Sequence, residues 1–441
     1  MAKKIHEIRD PIHVFVRLNS DERKVLDSRP FQRLRHIHQL ALTSLVYPAA
    51  THKRFEHSLG VMELAGRVFD VVTYKDSVSD PIRRSIPEID DDDSLRYWRR
   101  VLRMAALCHD TGHLPFSHAA EKELLPADWN HERLTREIIL SPEMKAIWEG
   151  MTPPLRPLDV VKLAVGPREA TDLTFTTWED ILAEIIVGDA FGVDRMDYLL
   201  RDSHHTGVAY GRFDHFRLID TLRILPPPST ADGGAATEPA LGVEEGGVHS
   251  AEALMLARYF MYTQVYFHAH RRVYDIHLKD FLAAWLDGGK FPTDLEKHLC
   301  GTDNEVYVGL LDAARDPTKP GHEAARRIVE HQHFKVLYER NPDDVAKDPE
   351  AGRAVFEAAA VAFGAESVRH DRIPPKGEAV GDFPVLMKDG RIASAVALSD
   401  VLRNLPVLSV DFVFVAPEKW KDAEAWLRDK RASLIQKKET Q

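Results

Sequence analysis

The chain has 441 residues, with 58 Lys plus Arg against 69 Asp plus Glu and a formal net charge of -11. A general nucleic-acid coat is therefore excluded, and a polyanionic ligand needs locally concentrated positive charge. Only Cys108 and Cys300 are present, and neither an apolar leader nor a run of roughly 18 apolar residues occurs, so a reducing, cytoplasmic setting without membrane spanning is expected.

From about residue 20 to 225 the apolar spacing is mostly helical. In RFEHSLGVMELAGRVFDVV, His57 shares a stripe with Val61, Leu64, Val68 and Val72, so this histidine faces inward. The acidic run at 89–94 reads as a solvated loop or helix start. In YWRRVLRMAALCHD, Trp98, Val101, Leu102, Ala105 and His109 fall at helical offsets 0, 3, 4, 7 and 11, which makes His109 core-facing as well. Gly112 and Pro115 end that helix, leaving His109 and Asp110 at its negative pole, where a cation is favoured. Taken alone, the pair also fits a core histidine with one hydrogen bond and a surface aspartate. In FGVDRMDYLLRDSHH, Asp194, Tyr198 and Arg201 form a polar face behind a strongly apolar helix, and that face needs a polar partner. Two imidazoles and two carboxylates from three helices make a mixed N/O set suited to a borderline or hard divalent ion. The Cys108 side chain points about 100° away from that of His109 and reads as packing.

Beyond this body, residues 226–247 are rich in Pro, Gly and small polar residues and read as the mobile tip of a hairpin that follows LIDTLRIL. Helical spacing resumes from Ser250 to about Asn341. The strand-turn-strand pattern FPVLMKDGRIASAVAL, and SVDFVFVAP leading into KWKDAEAWL, predict a small α/β unit. The expectation is a mainly α fold with a β-hairpin insertion and a smaller C-terminal α/β lobe, divided into 1–290 and 291–441.

DPIH (10–13), PFQRLRHIHQL (30–40), HKRFEHSLGV (52–61), HDTGHLPFSH (109–118), NHE (130–132), VDRMDYLLRDSHHTG (193–207) and HRRVYDIH (270–277) occur in this order. Over most of residues 5–280 the chain thereby resembles the HD-domain phosphohydrolases. Within them it is similar to the deoxynucleoside triphosphate triphosphohydrolases that include the sterile-alpha-motif and HD-domain protein and its bacterial relatives.

The resemblance implies an HD-domain helical core and metal ligands at His57, His109, Asp110 and Asp194, for Mn, Mg, Fe, Ni or Zn. It implies catalytic histidines at His113, His118 and His131, with Glu132 as an orienting carboxylate. Glu121 stands where better-known relatives carry an Asp-type acid. Phosphate contacts fall on Arg54, Arg195, Tyr198 and His118, but Tyr266 stands where relatives have a further phosphate-binding arginine. Gln39 and Asp202 match the positions that hold the sugar 3′-hydroxyl, and Leu40 and Tyr274 those that crowd C2′. Asp27, Gln32 and Arg35 match the guanine-reading positions of an activating site between subunits.

The implied activity is metal-dependent hydrolysis of a dNTP to deoxynucleoside and tripolyphosphate, in a homo-oligomer (dimer or tetramer) activated by GTP or dGTP. Alternatives are an HD phosphohydrolase acting on a monophosphate, cyclic nucleotide or alarmone, and a nucleotide sensor without turnover. A single-stranded nucleic acid partner would have to use the local basic segment PFQRLRHIHQ.

Overall fold

The structure, a computed structural model, describes residues 5–116, 121–227, 238–375 and 381–436. Contacts divide the chain into two units, and each is assembled from separate stretches. One comprises Met1–Met261, Phe291–Glu305 and Val380–Leu405, the other Tyr262–Lys290, Val306–Ala379 and Pro406–Gln441. The boundary expected at 290 thus falls where the chain is passing back and forth between units.

The first unit is a helical body. Helix α1 (Arg54–Val72) buries His57, Val61, Leu64, Val68 and Val72, the stripe read from sequence. It packs against α2 (Asp92–Cys108), whose start lies in the acidic run. The Asp91 side chain caps α2 by accepting the Asp93 N–H, and acidic residues fill the first turn, where the helix dipole favours them. Helix α3 (His131–Ile139) is capped by the Asn130 side chain. Helix α4 (Thr177–Val187) opens with a reciprocal Thr176–Glu179 capping box. Helix α5 (Val193–Thr206) ends at Gly207, whose φ of 78° is left-handed and suits glycine.

Strands Leu222–Leu225 and Ala240–Glu244 pair antiparallel and form the expected hairpin. Its second strand occupies part of the stretch read as tip, and residues 228–237 of that tip lie outside the described residues. Strands Pro384–Leu386 and Ile392–Ser394 do make the predicted strand-turn-strand unit. They belong to the first unit rather than to the C-terminal lobe: Pro384–Leu386 pairs parallel with Ala240–Glu244. Alternation within a strand reports its two faces, not its neighbour in the sheet.

In the second unit, α6 (Ala269–Trp285) accompanies a three-stranded antiparallel sheet with Val410–Val415 at its centre, between Lys335–Glu339 and Val368–Ile373. Helices Ala351–Phe363 and Trp420–Leu434 cover this sheet, joining Val355, Ala359 and Leu427 to Tyr338, Val413 and Val415 in one core. The fold is thus mainly α with small sheets. Among the described residues no helix is long and apolar enough to cross a membrane.

Candidate active site

Helices α1 and α5 and the end of α2 bring the sequence-read metal set together. The ligand atoms of His57, His109 and Asp110 lie within 4.8 Å of one another and could hold a metal ion. The Asp194 carboxylate stands 3.0 Å from His57 Nε2 and 3.5 Å from His109 Nε2. The scaffold engages the opposite edge of each imidazole: His57 Nδ1 pairs with Asp197 at 2.8 Å, and His109 Nδ1 with the Ala106 carbonyl at 2.8 Å. With Nδ1 donating, both Nε2 atoms are turned inward, as metal-ligating histidines require. His109 Nε2 is buried without a hydrogen-bond partner, an orphaned acceptor that fits a cation.

The electrostatics agree with this fit. Burial disfavours the charged forms of Asp110 and Asp194, but Arg54 and His109 outweigh it at Asp110, as do His109 and His57 at Asp194, so both stay ionised. Burial also opposes charge on His57, yet hydrogen bonds to Asp194 and Asp197 hold its pKa up to about 10. Carboxylates that draw a proton onto this ring would draw a divalent cation into its place.

Sequence reading missed the support behind His57. Asp197 is fully buried and accepts from His13 Nε2 at 2.6 Å, His57 Nδ1 at 2.8 Å, and Arg201 Nε and Nη2 at 2.8 and 3.0 Å. Arg201 reaches on to Asp10 at 2.9 Å, so DPIH at the N-terminal turn is tied to a candidate ligand. The available signal was the three-residue spacing from Asp194 to Asp197, which puts both carboxylates on one side of α5. Arg201, read as part of the polar face, is buried in this ion network.

Next to the metal set, His113 Nε2 lies 3.1 Å from Asp110 Oδ1, and its ring stacks on that of His131 with centroids 3.9 Å apart. His131 Nδ1 donates to Glu121 at 2.8 Å, while Glu132 is 3.1 Å away. Glu121 also accepts the His131 backbone N–H at 2.7 Å and is the nearer orienting carboxylate. Burial and the Arg54 charge push the His113 pKa well down, whereas at His131 the Glu121 hydrogen bond overcomes burial and raises it. His118 lies outside the described residues. A cleft of about 440 Å³ is lined by Glu132 with Asn130, Arg133, Arg136, Glu169 and Asp172.

Of the substrate positions, Arg54 is buried and donates to Asp110. Gln39 and the loop before α1 are joined by the Gln39 N–H bond to the His52 carbonyl at 3.0 Å, and Gln39 Oε1 is buried without a partner. Asp202 pairs with His52 Nε2 at 2.7 Å, and Leu40 is buried. Arg195 and Tyr198, both half-buried on α5, follow Asp194 within a turn. Tyr274 belongs to the second unit, where its hydroxyl lies 3.1 Å from Nδ1 of both His331 and His333. Asp27, Gln32 and Arg35 engage neighbours within the first unit. Arg23 donates to Asp27 at 3.1 Å and Arg35 to Gln32 at 2.8 Å, with the Arg35 guanidinium 3.5 Å above the Phe55 ring.

Residues 54–164 match the family model of the HD domain, and residues 213–363 that of the HD associated region. The chain belongs to the HD-domain family. HD domains bind divalent metals, and the His/Asp cluster of this HD-domain protein can hold one. It is 34% identical over 278 residues to the uncharacterized protein YwfO of Bacillus subtilis (strain 168), covering 62% of this chain and 54% of that one. It is 29% identical over 371 residues to the human deoxynucleoside triphosphate triphosphohydrolase SAMHD1, covering 76% and 55%. The chain spans about half the length of the curated relatives it matches. Among solved structures, a hypothetical protein from Aquifex aeolicus is similar with a TM-score of 0.76 and 31% identity, covering 96% of this chain and 100% of that one.

Proposed function

We propose that this HD-domain protein is a metal-dependent phosphohydrolase that cleaves deoxynucleoside triphosphates to deoxynucleoside and tripolyphosphate. The observation that carries the reading is the junction at Asp110, which touches the metal set on one side and the stacked His113–His131 pair on the other. His57, His109, Asp110 and Asp194 would hold the ion, whose charge would offset that of the phosphate oxygens. His113, anchored on Asp110, presents an imidazole to orient and deprotonate the attacking water. His131, with Glu121 and Glu132 beside it, carries the proton for the leaving sugar oxygen. The step consumes one water: its oxygen bonds to the α-phosphorus and the bond to the nucleoside oxygen breaks.

For the substrate, Arg54, Arg195 and Tyr198 would contact the phosphates, and the unpartnered Gln39 Oε1 with Asp202 would take the 3′-hydroxyl. Leu40 would crowd C2′. The human and chicken relatives named as deoxynucleoside triphosphate triphosphohydrolases support this choice of substrate. In the same reading, Asp27, Gln32 and Arg35 read the guanine of GTP or dGTP, which favours a dimeric or tetrameric homo-oligomer.

The test is incubation with each deoxynucleoside and nucleoside triphosphate plus Mn²⁺ or Mg²⁺, with chromatography of the products. Deoxynucleoside with tripolyphosphate is expected. Release of orthophosphate or pyrophosphate, or equal rates on ATP and dATP, would refute the respective half of the reading.

A further inference from the structure

The loop after the His109–Asp110 pair carries His113 and runs through Phe116, a fully buried non-glycine residue at φ 56°. Left-handed backbone at a bulky residue is strained and persists only where its surroundings over-determine it. Two buried side chains from elsewhere in the first unit do so. Asp303, whose side chain is 0% exposed, accepts the Phe116 N–H on Oδ1 at 2.7 Å. Its Oδ2 accepts both the His38 N–H at 2.7 Å and His38 Nδ1–H at 2.6 Å. Arg33 donates from Nη1 to the His113 carbonyl and from Nε to the Gly301 carbonyl, each at 2.8 Å. His38 in turn takes Lys53 Nζ on Nε2 at 2.6 Å and pairs with Lys53 in an antiparallel bridge, immediately before Arg54.

We propose that Asp303 and Arg33 are positioning residues: together they clamp the His113–Phe116 loop and lock it to the bridge that carries Gln39 and Arg54. Asp303 lies within the HD associated region, so that region completes the catalytic geometry of the HD domain. The proposal rests on the reading of His113 as the group that acts on the reacting water.

Asp303→Asn tests the clamp with almost no change in volume. An amide has one acceptor oxygen, so whichever way it turns, its NH₂ faces either the Phe116 N–H or the two His38 donors. The variant is assayed for hydrolysis of dATP and bis(p-nitrophenyl) phosphate with Mn²⁺, for bound metal, and for amide exchange by mass spectrometry. A displaced catalytic loop should lower kcat by roughly 10- to 100-fold with KM and metal content within about threefold of wild type. Exchange should quicken over 113–116 and 36–39. Unchanged kcat, or loss of metal in step with rate, overturns the proposal.

Should that variant fail to fold, Arg33→Met, which replaces a buried cation by an apolar chain, must show the same kcat-selective loss, and wild-type turnover there overturns the proposal equally. If wild type cleaves the ester but no nucleotide, the substrate reading fails while the clamp is still judged on the ester and the exchange data.

Discussion

Asp197→Asn is the most informative perturbation of the site, because the residue is fully buried behind His57 and holds this metal-ligand candidate from its Nδ1 edge. Each carboxylate oxygen serves two donors: Oδ1 accepts from His13 and Arg201 Nη2, and Oδ2 from His57 and Arg201 Nε. An asparagine of the same shape must therefore point its NH₂ at one donor pair, whichever way it flips. It also leaves the fully buried Arg201 with Asp10 as its remaining carboxylate partner in this network. Breaking one partner of a buried ion network costs about 3–5 kcal/mol, and losing the group that orients a ligating histidine costs about 10- to 100-fold in metal affinity. Chemical denaturation gives the first quantity, and metal titration with elemental analysis gives the second. If Asp197→Asn unfolds at the wild-type midpoint and binds Mn²⁺ equally tightly, the network neither stabilises the fold nor orients His57.

His109→Ala should lose both bound metal and hydrolysis, whereas His113→Ala should keep the metal and lose about 10²- to 10⁴-fold in rate, as read by elemental analysis beside steady-state kinetics; equal metal loss in both would make His113 a ligand. Gly60→Ala places a Cβ 1.9 Å from Asp197 Oδ1 and 2.5 Å from Arg201 Nη2. Overpacking there should destabilise by about 1–3 kcal/mol, and an unshifted melting temperature contradicts the packing described. In the second unit, burial lowers the His277 pKa from 6.5 to about 3, and its Nε2 accepts the Phe334 N–H at 3.2 Å. The unfolded chain thus binds a proton at higher pH than the folded one. The stability contributed above about pH 6.5 should fall away as pH drops toward 3. His277→Gln should flatten that slope in thermal melts between pH 7 and 4.5, and an identical slope in wild type and variant rules out His277 as a source.

The candidate metal set was legible because periodicity within a helix reports which face is buried, and a histidine or aspartate on a buried face must meet a compensating group. His57 and His109 each sat on such a face, and the end of α2 could be read from Gly112 and Pro115. The acidic run became a helix cap for an equally local reason, the preference of orphan N–H groups for carboxylates. The apolar run VDFVFV likewise became a central strand buried along its whole length.

Glu121 was read only as a replacement for an acid, because nothing in its own helical turn shows that it closes on His131, ten residues on. The parallel pairing of Pro384–Leu386 with Ala240–Glu244 was hidden for the same reason. The sequence by itself determined the main helical segments of the first unit and the inward turn of His57 and His109, since both follow from interactions within a few residues. Only the tertiary structure decided that Asp197 steadies His57 and that Asp303 holds Phe116. Those bonds span 140 and 187 residues, and a hydrogen bond between distant segments leaves no periodic trace in either.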